Sequence, residues 1–371
     1  MQGLGGEKNL HSHLLLLTDD VERETTLLQT LATAGVVEVM GVTGDAKPRR
    51  APSTVVVDID LRCEKSIARL REIFRRDTLG SAARIFMVHP DDYQGDRQAR
   101  ALGASRLAHR PLEPQRLLQM MRTDMAAAFK QGLEHHPNLV LARGLRSAHR
   151  VLDSIFEEMP KGSLLHVPDV HDAENAVLDS LSDEGLQSWL DAVKTHHSSS
   201  YRHSLFVTGS AISFAQFLGM SRRDQRRVAQ AALLHDVGKA IVPLAILDKP
   251  GKLTPEEFAE IRKHPRFGYD MLGRCPGFPA ETLDAVLHHH EYLDGTGYPD
   301  GLSGREIKDL VRIITIADIF SALVEERAYK RAMTFEEALR IMGEMGPRLD
   351  ADLLRVFGEM IAGQEAKLRV A

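Results

Sequence analysis

At 371 residues the chain is long enough for two or three domains, each with its own core. Hydrophobic residues make up 43% and charged residues 27%, with a formal net charge of −5, which argues against a general nucleic-acid or membrane-surface binder. Its two cysteines, Cys63 and Cys275, lie far apart in no CxxC pattern, which argues against a disulfide framework or a thiolate metal site.

No apolar run approaches the roughly 20 residues that span a bilayer. The opening "MQGLGGEKNLHSH" lacks the basic-then-apolar build of a signal peptide. The expectation is a cytoplasmic protein with no membrane and no nucleic-acid partner.

From about 12 to 122, short apolar runs alternate with helical patterns. "HLLLLTDD", "STVVVDID" and "RIFMVHP" read as buried parallel strands, and "GASRLAHRP" as a short edge strand. "RETTLLQTLATAG" carries amphipathic helix spacing between them. Such alternation implies an α/β doubly wound parallel sheet, with acids at the strand ends where these sheets place sites.

From about 123 to 200 the chain reads as helical and polar, and from 201 onward strand patterns vanish. The expected organisation is multidomain: 1–125 an α/β domain, 126–195 a helical linker, and 196–371 an all-α bundle. The linker is also a candidate dimer contact, so a homodimer is expected.

Five places in the last region stand out. In "YRHSLFVTGSAISFAQFLG", His203 shares three- and four-residue spacing with Phe206, Val207, Ser210, Phe214 and Phe217, which turns it inward. "AALLHDVGKAIVP" sets His235 and Asp236 at the end of an apolar helix, with Lys239 one turn beyond. "LTPEEFAEIRKHP" has Thr254 as cap, Pro255 at the first position and Glu257 completing a capping box, and it delivers His264. "AETLDAVLHHHE" puts His290 on an apolar face with His289 beside it, and "VRIITIADIFSAL" buries Asp318.

Singly, each has a bland reading: a satisfied core histidine, an exposed helix end, or a carboxylate met by a buried arginine, with Arg312 the candidate. Together they would be five coincidences on the inward faces of one bundle, whereas a metal centre accounts for all of them. Five imidazoles and two carboxylates exceed the needs of one ion, so two divalent ions bridged by Asp236 fit the count. The nitrogen and oxygen donors suit iron, manganese, zinc or nickel, and spacing does not choose among them. Two ions about 3.5–4 Å apart serve displacement at phosphorus, with a bridging water acidified to hydroxide. Lys239 would add a cation there, and "EERAYKRA" supplies Arg327, Lys330 and Arg331, either as a solvated basic face or as a second phosphate clamp.

"HDVGK", "KHPRFG", "HHEYLDGTGYP" and "ADIF", in this order over about 200–345, resemble the HD-GYP phosphodiesterases, a branch of the HD metal-dependent phosphohydrolases. The resemblance implies hydrolysis of cyclic di-GMP to linear pGpG, or on to GMP. It implies His203, His235, Asp236, His264, His289, His290 and Asp318 as metal ligands, with Asp236 and Lys239 as catalytic residues. It also implies substrate contacts from Lys239, Tyr298, Arg327 and Lys330. Gly295, Gly297, Gly301 and Gly304, with Pro299, are expected to fix the loop that holds Tyr298 at the site mouth. In the family that loop is linked to docking with diguanylate cyclase domains. Two departures stand out: Ser199 replaces a glutamate that helps hold a third metal in some members, and Ser321 replaces an aspartate, which puts turnover in question.

The N-terminal segment resembles a response-regulator receiver, which would make a sensor kinase its partner. Asp19 and Asp20 match the acidic pair, and Asp58 the phosphoacceptor. His89 stands near the usual Ser/Thr and Arg110 replaces the usual lysine, so the domain is expected to be degenerate, a regulatory or dimerisation module. Two further readings stay open: a metal-retaining scaffold that binds cyclic dinucleotides with little turnover, and a phosphodiesterase for another cyclic dinucleotide.

Overall fold

The computed structural model describes residues 13–20, 25–32, 36–43, 47–49, 52–75, 79, 82–111, 113–194, 198–247, 249, 252–325 and 332–370. The chain forms two compact units, residues 1–129 and 130–371.

The first unit is a doubly wound parallel sheet of five strands in the order β2-β1-β3-β4-β5. The strands are β1 (His13–Thr18), β2 (Val36–Gly41), β3 (Thr54–Asp58), β4 (Ala83–Val88) and β5 (Arg106–His109). Helices α1 (Thr25–Ala32), α2 (Glu64–Phe74), α3 (Tyr93–Ala101) and the first part of α4 (Pro114–Glu134) cover it. The central strands are unbroken apolar runs because both of their faces are buried. Leu14, Leu16, Val56 and Ile85 pack with Leu27 and Leu31 of α1 and Leu117 and Met121 of α4. Leu15, Leu17, Val55, Val57 and Phe86 pack with Ile67, Leu70 and Ile73 of α2 and Ala99 of α3.

Strand β2 was absent from the sequence expectation. "VVEVMG" lies at the sheet edge with Val36 47% exposed, so it lacks the continuous apolar signature of its neighbours. Thr18 and Asp58 are register partners at the ends of β1 and β3, which brings Asp19 and Asp58 to the carboxyl edge of the sheet.

The second unit is helical. Asn138 caps α5 (Leu139–Asp153) by accepting from the Leu141 N–H at 2.8 Å. Next come α6 (Val167–Val193), α7 (Ser199–Phe217) and α8 (Arg222–Leu234). Helices α5 and α6 lie in the segment expected to be a connecting linker, yet α6 packs directly on α7 and α8. The fully buried Trp189 of α6 donates from Nε1 to the Leu205 carbonyl of α7 at 2.8 Å. A buried polar chain joins three helices here. Thr282 Oγ1 donates to Gln230 Oε1 at 2.6 Å, and Gln230 Nε2 donates to Glu174 Oε1 at 2.7 Å.

The unit continues through α9 (Leu244–Leu247), α10 (Pro255–Ile261), α11 (His264–Gly273), α12 (Ala280–His288), α13 (Asp309–Val324), α14 (Phe335–Glu344) and α15 (Ala351–Val370). The expected capping box of α10 is present. In α7, every residue from 203 to 215 is buried, so this helix is core all round rather than amphipathic. Phe217, expected inward, is 51% exposed because it forms the last turn, beyond the packed stretch.

Candidate metal centre

Five elements converge in the second unit. α7 contributes His203, the end of α8 His235 and Asp236, the first turn of α11 His264, the end of α12 His289 and His290, and α13 Asp318. All are buried except His290, whose side chain is 22% exposed.

Ring orientation follows from the backbone. His235, His264 and His289 each direct Nδ1 to the carbonyl three residues back, at Ala232 (2.7 Å), Ile261 (2.7 Å) and Val286 (2.9 Å). A carbonyl only accepts, so Nδ1 carries the proton and Nε2 presents a lone pair. Those lone pairs face other acceptors. His264 Nε2 lies 3.2 Å from His289 Nε2 and 3.1 Å from Asp236 Oδ1, and His235 Nε2 lies 3.3 Å from Asp236 Oδ2. Neither His235 Nε2 nor Asp236 Oδ1 has a hydrogen-bond partner, although both are buried. Protonation is no escape, since burial holds His264 below its ordinary pKa, and burial with the neighbouring imidazoles holds His289 well below. Converging buried lone pairs of this kind fit a divalent cation.

The donors fall into two groups, His264–His289–His290 and His203–His235–Asp236, each with ligand atoms within 4.8 Å of one another. Asp236 joins them. Its Oδ1 faces His264 and His289 (3.1 and 3.8 Å), and its Oδ2 faces His203 and His235 (3.5 and 3.3 Å). Asp318 spans the same groups, with Oδ1 2.9 Å from His203 Nε2 and Oδ2 3.6 Å from His290 Nδ1. The two carboxylates therefore link the two groups of donors.

Both carboxyls are held in the charged form that a metal ligand needs. Burial would raise both carboxyls, but Lys239, His235 and His264 hold Asp236 well below the usual range, and His203 and His290 do the same for Asp318. His203 is pushed down by burial yet ends above its ordinary value through Asp318 and Glu325, while burial takes His290 to about 3. Lys239 Nζ sits 2.5 Å from Asp236 Oδ2 and so touches the centre directly. Arg312, the alternative partner for Asp318, instead binds Asp350 Oδ2 at 3.0 Å and the Gly304 and Ile307 carbonyls.

Two glycines make the packing possible. A Cβ on Gly238 would lie 1.9 Å from the His264 carbonyl, so only glycine lets the turn after Asp236 meet the start of α11. At Gly297 a Cβ would lie 2.4 Å from the Glu291 Cα. The expected demand for an unusual turn there is met instead as a close approach. Glu291, 2% exposed, binds the loop through three backbone N–H groups: Asp300 at 2.7, Gly301 at 2.9 and Leu302 at 3.1 Å. Tyr298, which donates its N–H to the His290 carbonyl at 3.1 Å, lays its ring 4.8 Å from the His290 ring and 4.4 Å under the Arg262 guanidinium. His288 turns away from the centre, bonding Asp284 at 2.7 Å and Asp300 at 3.1 Å.

Sequence reasoning missed Glu291 and Gly238 as structural determinants, although both stand inside quoted strings: a glutamate directly after paired histidines, and a glycine two residues after the His–Asp pair. Arg327, Lys330 and Arg331 lie outside the described residues.

In the first unit, Asp58 is 9% exposed and Arg110 Nη2 lies 2.6 Å from both of its oxygens. Asp19 Oδ2 accepts from the Asp60 N–H at 2.6 Å, Asp20 interacts with Thr18, and His89 is exposed just after β4.

Residues 187–353 match the HD domain family model. The chain is 41% identical over 165 residues to a cyclic di-GMP phosphodiesterase of Pseudomonas aeruginosa, covering 44% of this chain and 40% of that protein. It is 43% identical over 136 residues to the cyclic di-GMP phosphodiesterase response regulator RpfG of Xanthomonas campestris, covering 36% of each. It is 47% identical over 143 residues to a 3'3'-cGAMP-specific phosphodiesterase of Vibrio cholerae, covering 38% of this chain and 31% of that one. The matches thus span about two fifths or less of these relatives.

Proposed function

We propose, from the premise that residues 187–353 form an HD domain of the HD-GYP kind, that this chain is a metal-dependent phosphodiesterase acting on cyclic di-GMP and releasing linear pGpG. The observation that carries the reading is the set of three buried imidazoles whose Nδ1 protons are fixed by backbone carbonyls and whose Nε2 lone pairs converge on Asp236.

His203, His235, Asp236, His264, His289, His290 and Asp318 would hold the two cations, with iron or manganese favoured. When bound, such a pair supplies Lewis acidity, activating water as the nucleophile and offsetting charge on the phosphoryl oxygens. The protein's own part is positional. Carbonyl-tethered rings need no reorganisation to present their lone pairs, and buried walls strengthen each charge interaction. Lys239, the cation nearest the centre among the described residues, would meet a phosphoryl oxygen of the substrate, and Tyr298 would border its entry. Arg327 and Lys330 would clamp the second phosphate. The first unit, with Arg110 on Asp58, serves as a regulatory or partner-binding module.

The similarity to a cGAMP-specific enzyme makes 3'3'-cGAMP the competitor to test. Manganese-loaded protein incubated with each cyclic dinucleotide, products resolved by chromatography, is expected to convert cyclic di-GMP to pGpG in preference. Asp236→Asn should lose more than about 100-fold in turnover, since even outer partners of metal ligands cost about 10–100-fold. Metal-loaded protein that leaves cyclic di-GMP intact over hours would defeat the proposal.

A further inference from the structure

We propose that Glu325 is a positioning residue for the metal centre, taking the Nδ1 proton of His203 and so turning that ring's Nε2 toward the cations. The inference rests on the metal-dependent reading above and adds a residue outside the seven ligands.

Three of the five imidazoles have Nδ1 secured by a carbonyl of their own helix turn. His203 is secured differently. Its Nδ1 is buried without a hydrogen-bond partner, and Glu325 Oε2 lies 3.6 Å away. That separation is a fraction of an ångström beyond hydrogen-bond range, and a small ring rotation closes it. On the opposite side of the ring, Nε2 stands 2.9 Å from Asp318 Oδ1 and 3.5 Å from Asp236 Oδ2, so the nitrogen that faces the centre is fixed by geometry.

The carboxylate is itself built in. Glu325 follows the last turn of α13, is 1% exposed, and receives the Arg202 Nε–H on Oε1 at 2.8 Å. A buried carboxylate without partners costs several kcal/mol, so this one is kept by what it touches. Arg202 precedes His203 on α7, and one helix therefore supplies both the ring and the clamp on its acceptor. Ser321, one turn earlier on α13, is fully buried and offers only a hydroxyl with no partner. A carboxylate acceptor also makes the imidazole a stronger donor than a carbonyl acceptor does, which would set His203 apart from the other three rings.

The test is manganese titration of metal-free full-length protein, without nucleotide, for wild type, Glu325→Ala and Glu325→Gln. Glu325→Ala is expected to weaken one bound ion by about 10–100-fold, the usual cost of losing such a partner. Glu325→Gln keeps an amide oxygen able to accept from Nδ1 and is expected to recover part of that loss. A folded Glu325→Ala protein with wild-type manganese affinity would overturn the assignment, as would a lowered unfolding midpoint with affinity unchanged, the mark of a purely structural ion pair. Should the alanine variant not fold, Glu325→Leu, which fills the space but offers no acceptor, decides: weaker binding supports the assignment and wild-type affinity overturns it. Wild-type protein that binds manganese but cleaves no cyclic dinucleotide would defeat the phosphodiesterase reading and leave this one standing.

Discussion

Asp58 and Arg110 form the most consequential pair in the first unit. A receiver's phosphoacceptor needs a carboxylate oxygen open to attack an incoming phosphoryl group, and here one guanidinium nitrogen lies 2.6 Å from both oxygens. A compact ammonium at that position would reach a phosphoryl oxygen while leaving the carboxylate accessible, whereas the planar guanidinium covers the carboxylate itself. Wild-type protein incubated with acetyl phosphate and magnesium is therefore expected to stay unlabelled by intact mass, and Arg110→Lys to gain a label that Asp58→Asn abolishes. Labelled wild-type protein would show the pair opens readily. Both residues were singled out in the sequence by the resemblance to a receiver. The direct contact between Asp58 and Arg110 was not, because 52 positions separate them and only the sheet brings them together.

Among the helices, α6 carries a group whose cost depends on pH. Burial raises the Glu174 carboxyl from 4.5 to about 7, against the Gln230 hydrogen bond and the Arg226 charge, which lower it. The folded protein thus holds a proton between pH 4.5 and about 7 that the unfolded chain has released. Stability must fall as pH rises through that window and stay lowered above it, by at most on the order of 3 kcal/mol. Glu174→Gln keeps an acceptor for Gln230 and removes the charge. Its unfolding free energy should exceed wild type at pH 8 and converge with it near pH 4, as read by urea titration at each pH. A difference independent of pH would place the effect in packing instead. Glu174 was invisible to periodicity, because a lone acid in a polar-looking helical stretch reads as surface. The same blindness made α5 and α6 look like a linker: their apolar residues are spaced as in any amphipathic helix, and nothing local says which partner covers them. His203 and His290 were legible for the opposite reason, since each shares an apolar face where a polar group needs a stated cause, whereas His235, His264 and His289 stood out only in combination with them.

Across the whole molecule, two compact units and a single tryptophan provide a direct reading of where metal acts. Trp189 is fully buried between α6 and α7, so its fluorescence follows the second unit alone, while far-UV circular dichroism follows both. Every proposed ligand lies in that second unit. A cation that binds only the folded state stabilises by RT ln(1 + [L]/Kd), about 2.7 kcal/mol at a hundredfold excess over Kd. For a unit of this size a change of that order corresponds to a rise of roughly 5–10 °C in Tm. Manganese should therefore raise the tryptophan-detected midpoint, chelation should lower it, and the dichroism transition of the first unit should stay where it was. Equal shifts in both transitions would mean that the units unfold as one, and no shift in either would remove the centre. Because the fluorescence change requires neither substrate nor turnover, it separates a protein that holds metal from one that also cleaves, a distinction that Ser321 makes worth drawing.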